Sequence, residues 1–330
     1  MDLISASFNQ GWTYRQRIAA EDSGRMLVEF LATHYSHSSS QIWQQRLQSG
    51  QIQLNGELVT ADQALHAADW LCWQRPAWLE PEVPGSWQVL FDDGDLLVMD
   101  KPSGLPVMPG GGFLNHTLVA LLQKRFGEEG KLPIPRPVHR LGRFTSGLLL
   151  CARQAETRAH LSGLFRRATA GEAACKKIYR ALAQPNPHLD PGEIKTIKIP
   201  IVQQPHPLLG QIWAAAAPDK QADTDQLPAG SLSALSTISL LEHRQDADLL
   251  DVTIQTGRPH QIRIHLAAIG TPLIGDPLYG PHGDVSPSAT PGEGGYSLHA
   301  HRLVDVPYAG RVQTFEACPP LNLQTREERQ

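Results

Sequence analysis

The chain has 330 residues, of which 41% are hydrophobic and 19% charged, and its formal net charge is −4. This length and apolar content predict a globular protein with either one large domain or one large domain and a small one. No stretch reaches the roughly 18 uninterrupted apolar residues that a membrane span needs, and the N-terminus lacks the basic and apolar segments of a secretion signal. We therefore expect a cytoplasmic protein.

Cysteine and histidine spacing bears on metal and redox chemistry. The four cysteines are far apart and form no Cys-x-x-Cys pair, which argues against a zinc knuckle and a disulfide framework. His260 and His265 are five residues apart, which is not the spacing of metal ligands on one helix face. We therefore expect no metal and no cofactor.

Composition and turn residues divide the chain into four parts. We expect a polar tail over residues 1–13 and a small αβ unit over 14–75. Prolines and a glycine over 76–87 predict a linker. The large domain then covers 88–325.

The small unit shows two helix patterns followed by a hairpin pattern. Its first apolar cluster recurs at helical spacing, and Ser39 or Ser40 can cap a second helix that ends at Gly50. Short apolar stretches on either side of Asn55-Gly56 predict a hairpin, because this dipeptide is a strong turn signal.

The first half of the large domain predicts a hairpin followed by helices and strands. Asp93-Gly94 lies between two apolar stretches and favours a hairpin. Helices are expected over 116–126 and around 160–167, and a strand over 176–183.

The second half begins with a weakly patterned segment, 205–234, which we interpret as a mobile loop or an insertion. Beyond it the pattern predicts a strand, a turn at Thr256-Gly257, and a second strand that enters a short helix. Two more strands are expected over 298–307 and 314–318.

The central stretch, residues 137–153, reads PVHRLGRFTSGLLLCAR. Gly142 and Gly147 bracket a turn, and the apolar run after it predicts a buried strand. Arg143, Thr145 and Ser146 would then project from a loop held on that strand, where functional side chains often lie.

Basic residues are concentrated around this stretch. Residues 131–180 hold eleven basic and two acidic side chains, a local balance of +9 in a chain whose net charge is −4. Such a basic island, a cluster of positive charge in an acidic chain, predicts a surface that binds a phosphate backbone. The alternative interpretation is a solvated, arginine-rich helix. The basic residues are Lys131, Arg136, Arg140, Arg143, Arg153, Arg158, Arg166, Arg167, Lys176, Lys177 and Arg180.

Five segments occur in a characteristic order: DKPSGLPV, HRLGRFTSGLLL, KKIYRALA, TGRPHQIRIHLA and GTPLIGDPLYG. Together they resemble the RluA-type RNA pseudouridine synthases over about residues 88–318. The small unit, with its two helices and hairpin, resembles the S4 RNA-binding domain.

The resemblance implies an α+β fold, with a mixed, mostly antiparallel sheet, packed helices and a cleft across the middle. It also implies an enzyme that isomerises uridine to pseudouridine in structured RNA, either rRNA or tRNA, without a metal or a cofactor. We further expect no membrane association, no obligatory protein partner and a monomeric state.

The resemblance also carries over site residues. Arg140 matches the arginine beside the flipped nucleotide, Tyr179 the tyrosine that packs on the base, and Arg263 the arginine that pairs with the catalytic aspartate. Further RNA contacts are expected at His139, Arg143, Thr145, Ser146, Arg46, Lys176 and His260.

The family's aspartate is replaced by Gly142 in this chain. One interpretation is a substitute acid, for which Asp276 and Asp100 are candidates, although each is more simply a loop cap or a turn residue. The second is a noncatalytic RNA-binding or RNA-chaperone protein, and a different reaction on the same scaffold is a third that no residue supports. We predict that Arg263 pairs with a substitute acid or with an RNA phosphate.

Overall fold

The computed structural model describes residues 2–35, 37–130, 132–170, 175–216, 228–290, 292 and 294–330. The chain divides into two units, each with its own hydrophobic core. Unit 1 comprises Met1–Ser5, Glu82–Gln204 and Gln211–Gln330, and unit 2 comprises Ala6–Pro81 and Pro205–Gly210. Within the ranges described, no helix has the length and apolar character to cross a membrane.

The helices of the described chain are α1 (Leu27–His34), α2 (Ser40–Gln48), α3 (Leu118–Glu129), α4 (Ala155–Ala170) and α5 (Gln261–Ala268). The strands are β1 (Leu3–Ile4), β2 (Ser7–Phe8), β3 (Trp12–Arg17), β4 (Ile52–Leu54), β5 (Glu57–Leu58), β6 (Trp70–Arg75), β7 (Leu79–Glu80), β8 (Val83–Pro84), β9 (Gln88–Asp92), β10 (Leu96–Lys101), β11 (Arg136–Pro137), β12 (Thr145–Ala152), β13 (Lys176–Ala183), β14 (Ile194–Ile197), β15 (Ile201–His206), β16 (Gly210–Ala215), β17 (Ser236–His243), β18 (Asp248–Ile254), β19 (Leu298–Tyr308) and β20 (Arg311–Glu316).

Unit 2 contains helices α1 and α2 and a four-stranded sheet in the order β3-β6-β4-β5. The hydroxyl of Ser39 accepts a hydrogen bond from the backbone N–H of Ile42 and caps α2. Asn55 and Gly56 both have positive φ, 54° and 89°, as the two-residue turn between β4 and β5 requires. The two helices and the hairpin predicted for this unit are confirmed.

The expected polar tail and linker instead contain strands. Strand β1 pairs with β8, β2 pairs with β7, and β3 pairs with β6 along its whole length. Sequence periodicity missed β1, β2, β7 and β8 because they have two residues each, too few to show an alternation. Strand β3 has six residues, but five of them are exposed, so it has no buried face to reveal it.

Unit 1 is built on a ten-stranded sheet. Eight of its strands follow the order β14-β17-β18-β13-β19-β12-β10-β9, while β11 pairs with β12 and β20 pairs with β19. Its pairs are antiparallel except β12 with β19, which is parallel. The sheet is therefore mixed and mostly antiparallel, and the α+β fold class is confirmed. The hairpin at Asp93-Gly94 is confirmed too, by the pairing of β9 with β10.

Strand β12 lies at the centre of unit 1. All eight of its residues are buried, as the apolar run predicts. At its crossing with β19, a Cβ on Gly147 would lie 2.3 Å from the Ala300 carbonyl oxygen, and the φ of Gly147 is +103°. Only glycine satisfies both conditions, so the two strands that meet here depend on it.

Two expectations for the second half of the sequence differ from the structure. The strand predicted after Thr256-Gly257 is absent from the described residues there, because helix α5 occupies 261–268. All eight residues of α5 are buried, so the helix lacks the polar face that would have revealed its period. The segment interpreted as a mobile loop, 205–234, contains strand β16, and its residues 217–227 lie outside the described part of the chain.

Candidate active site

A cleft of about 680 Å³ opens in unit 1, between the turn before β12, strand β13, the start of α5 and the start of β19. Pockets of this size hold a nucleotide-sized ligand. Its lining combines cationic side chains with aromatic rings, including Arg140, Arg258, Tyr179 and Tyr296. The described lining residues include no aspartate and no glutamate.

A buried lysine holds the turn that forms one wall of the cleft. The Lys101 Nζ donates hydrogen bonds to the carbonyl oxygens of Pro102, Leu105 and Arg143, at 2.7, 2.9 and 3.1 Å. Burial lowers the pKa of Lys101 to about 7. Since one of these carbonyls belongs to the residue after Gly142, the lysine ties the central turn to the loop that follows β10.

A buried ion pair lies at the start of α5. The guanidinium of Arg263 donates from Nε to Oδ2 and from Nη2 to Oδ1 of Asp276, both at 2.7 Å. The Arg263 side chain is 3% exposed and that of Asp276 wholly buried. Burial acts to lower the pKa of Arg263, but the hydrogen bonds to Asp276 and the nearby negative charges outweigh it, so the pKa is raised. Arg263 therefore stays charged beside the cleft.

Asp276 has further partners besides Arg263. Its Oδ1 also accepts hydrogen bonds from the backbone N–H groups of Leu278 and Tyr279, at 3.0 and 3.2 Å. The carboxylate is thus a counter-ion and a loop cap at once. It does not line the cleft, since it is not among the residues that face the cavity.

Two tyrosine rings pack against the Arg263 guanidinium. Its central carbon lies 4.9 Å from the ring centroid of Tyr279 and 4.3 Å from that of Tyr296. The Tyr279 hydroxyl donates a hydrogen bond to the Trp213 carbonyl oxygen at 2.6 Å and lies 2.8 Å from His260 Nδ1. Such contacts hold the guanidinium in one orientation.

Sequence comparison identifies the family. Residues 95–268 match the model of the RNA pseudouridylate synthase family. The chain belongs to this family. It is 42% identical to an uncharacterized RNA pseudouridine synthase of Synechocystis, over 84% of this chain and 88% of that protein. It is also 36% identical to RNA pseudouridine synthase 5 of Arabidopsis thaliana, over 97% of this chain and 96% of that protein.

A solved structure shares the fold of this pseudouridine synthase. Human RNA pseudouridylate synthase domain containing 4 superposes with a TM-score of 0.53 at 21% identity, over 72% of this chain and 90% of that chain. At this level of identity the likeness concerns the fold alone.

The cleft brings together most of the residues that the resemblance pointed to. Arg140, Gly142, Tyr179 and Arg263 all line it. So do three of the expected RNA contacts, namely His139, Thr145 and His260. Arg263, which we expected to pair with a substitute acid or with an RNA phosphate, forms an ion pair with Asp276, one of the two candidate acids.

The two histidines of the cleft are neutral. Burial lowers the pKa of His139 to about 3 and that of His260 to about 4. Nε2 of His139 accepts the hydrogen bond of the Leu150 N–H at 3.1 Å. Any RNA contact that these rings make is therefore with an uncharged imidazole.

Asp100, the other candidate acid, is not among the residues that face the cavity. It lies on β10 directly opposite Leu148, a residue that does line the cleft, and its pKa is raised by burial. Of the two candidate acids, Asp276 is the one that forms an ion pair with an arginine of the cleft, Arg263.

Two expected RNA contacts make hydrogen bonds within the protein. The Ser146 hydroxyl is buried and lies 2.9 Å from His299 Nδ1. Arg143 packs over the rings of Phe113 and Phe144, and its Nε donates to the Gly104 carbonyl oxygen at 3.1 Å. The turn was correctly located, but the strand begins at Thr145 and takes Ser146 into the core.

The remaining two expected contacts lie outside the cleft. Lys176 is exposed at the start of β13, while its neighbour Lys177 faces the cavity. In unit 2, the guanidinium of Arg46 packs over the rings of both Trp43 and Trp73, at 4.4 and 4.5 Å from their centroids.

Among the residues that line the cleft, Arg166 and Lys177 were predicted only as members of the basic island, and Arg258 and Tyr296 were not singled out. The basic island contains the first two, so their charge was a usable signal. Arg258 lies within the TGRPHQIRIHLA segment, next to residues that were singled out. Tyr296 lies in a loop that carries no motif, and no signal in the sequence pointed to it.

Proposed function

We propose that this chain isomerises uridine to pseudouridine in structured RNA, either rRNA or tRNA, and that the reaction takes place in the cleft of unit 1. The observation that carries the proposal is the Arg263–Asp276 pair, which keeps a charged guanidinium beside a cationic, aromatic cleft. We further propose that the protein works as a cytoplasmic monomer and needs neither a metal nor a cofactor.

The proposed roles follow from where each side chain lies. A uridine within structured RNA must be flipped out of its stack, at a cost of about a few kcal/mol. Arg140 is exposed on the cleft and can hold the flipped nucleotide through a phosphate. Tyr179 presents a half-buried ring on β13, on which a base can stack. We propose an RNA-binding role for unit 2 as well, on its resemblance to the S4 domain.

The first experiment maps pseudouridine across the RNA of the source cells, with and without the gene for this chain. The expected result is at least one uridine that is modified only when the chain is present. Purified protein should then modify the same uridine in a short transcript of that region. A map that is the same with and without the gene would contradict the proposal.

The alternative is a noncatalytic RNA-binding relative, and the names of the similar proteins do not favour it. The same experiment distinguishes the two functions. A noncatalytic protein would bind the transcript, with an affinity that falls as salt rises, and would leave every uridine unmodified.

A further inference from the structure

Gly142 occupies the position of the family's aspartate, and its surroundings explain why it has no side chain. A Cβ built on Gly142 would lie 2.4 Å from the Tyr296 hydroxyl oxygen and 3.3 Å from Thr145 Oγ1. The φ of Gly142 is outside the left-handed range, so the backbone would accept any residue there. What excludes a side chain is the phenol oxygen of Tyr296.

The Tyr296 side chain is held firmly in this place. The residue is 4% exposed, its ring packs on the Arg263 guanidinium at 4.3 Å, and it meets Phe144 edge to face at 6.0 Å. The hydroxyl oxygen lies 3.4 Å from Thr145 Oγ1, and the residue lines the cleft. The phenol oxygen therefore lies where a side chain at position 142 would begin, beside the arginine that the resemblance pairs with the catalytic aspartate.

We propose that Tyr296 is the catalytic nucleophile of this chain, with its phenol oxygen in place of the missing carboxylate. The inference rests on the proposed function, since it assigns a residue to that same reaction. Tyrosine is one of the side chains that form covalent intermediates in enzymes.

The reaction balances without a further reactant. The phenol oxygen attacks C1′ of the flipped uridine, the bond from C1′ to N1 breaks with its electron pair going to the base, and the phenol proton passes to N1. The freed uracil turns, and its C5 attacks C1′ while the bond from C1′ to the phenol oxygen breaks. The proton lost from C5 then returns to the phenoxide, which restores Tyr296.

The neighbouring groups are less suited to this role. Asp276 is held by Arg263 and by the backbone N–H groups of Leu278 and Tyr279, and it does not face the cleft. The Tyr279 hydroxyl is engaged with Trp213 and His260. Tyr296 combines a hydroxyl at the cleft with a position that coincides with residue 142.

The first test removes only the phenol oxygen. In Tyr296→Phe the ring still packs on Arg263, so folding and RNA affinity should stay close to those of the wild type. We expect kcat on the mapped transcript to fall at least about 100-fold. Tyr308→Phe is the matched control, because Tyr308 donates its hydroxyl to Asp93 outside the cleft. A Tyr296→Phe enzyme with kcat within threefold of the wild type would overturn the proposal.

The second test replaces the Tyr296 hydroxyl with a carboxylate at position 142. Gly142→Asp alone should lower kcat, because the new Cβ collides with the Tyr296 oxygen. In Gly142→Asp with Tyr296→Phe that oxygen is gone, and the nearest ring carbon lies 3.7 Å away, an ordinary contact distance. We expect the double variant to recover at least about tenfold over Tyr296→Phe alone. A double variant no more active than Tyr296→Phe would show that the two positions are not equivalent.

The outcomes separate this inference from the proposed function. An inactive wild type, with no uridine that depends on the gene, would refute the function itself. An active wild type with an active Tyr296→Phe would refute only the assignment of the nucleophile.

Discussion

Two groups of arginines come from the same basic stretch of sequence but differ in exposure and in their partners. Arg140 and Arg166 are exposed and line the cleft. Arg153 and Arg180 are buried and paired with acids from other parts of the chain. A local charge count treats them alike, although only the first group can meet an RNA phosphate.

The buried pairs resemble the Arg263–Asp276 pair in their geometry. Arg153 donates from Nη1 and Nη2 to the two oxygens of Asp92, at 2.8 and 2.9 Å. A bidentate, buried pair is therefore not by itself a sign of function. What distinguishes Arg263 is that it lines a cleft and packs against tyrosine rings there.

The largest effect that tests this comparison should come from Asp92→Asn. It leaves the Arg153 guanidinium, 1% exposed, without its counter-charge, and we expect a loss of about 3 kcal/mol in the free energy of unfolding. This is the low end of the usual range, because the Asp92 side chain is 32% exposed and water can reach the site. Urea denaturation measures it.

Arg167→Gln is the matched control for that measurement. Arg167 is exposed on α4, so its loss should change the free energy of unfolding by less than about 0.5 kcal/mol. RNA affinity should be unchanged in Asp92→Asn. A large loss of affinity there at full stability would show that the buried group does contact RNA.

A smaller effect, on binding alone, is expected for Arg140→Gln. Removing one phosphate contact should lower the slope of log affinity against log salt by about one and leave the melting temperature unchanged. Affinity measured by fluorescence anisotropy at several salt concentrations gives this slope. An unchanged slope would mean that Arg140 does not reach a phosphate.

The smallest effect concerns acid stability and Glu328, which pairs with Arg180 at 2.8 Å. The hydrogen bond from Arg180 lowers the pKa of Glu328 to about 2. Because this pKa is depressed on folding, the stabilisation is present above the unfolded value of about 4.3 and is lost as the pH falls towards 2.

The size of that effect is limited by exposure, since the Glu328 side chain is 38% exposed. We expect Glu328→Gln to be less stable than the wild type by about 0.2–1 kcal/mol at pH 7, with the difference vanishing near pH 2. Denaturation curves at pH 7, 4 and 2 would show this convergence. A difference that grows in acid would contradict it.

Much of the fold could be predicted from the sequence, because long periodic or apolar segments and turn dipeptides act locally. Strand β13 was predicted over 176–183 and forms over Lys176–Ala183. Asn55-Gly56 favours its turn through backbone preference, and the apolar run after Gly147, bounded by turn residues, predicted the buried strand that forms. The two-residue strands escaped prediction because they show no period. A short helix was expected at α5, but its first residues were assigned to a strand, because a helix buried on all sides shows no period either.

The sequence by itself determined the family, the fold class and the residues of the motifs, since these follow from local pattern and from segments in a recognisable order. Only the tertiary structure decided which charges are free and which are paired, because Arg153 and Asp92 are 61 residues apart. It alone also placed the Tyr296 hydroxyl, 151 residues from Thr145, at the position left open by Gly142. Contacts over such distances depend on how strands meet in the sheet, which no local pattern encodes.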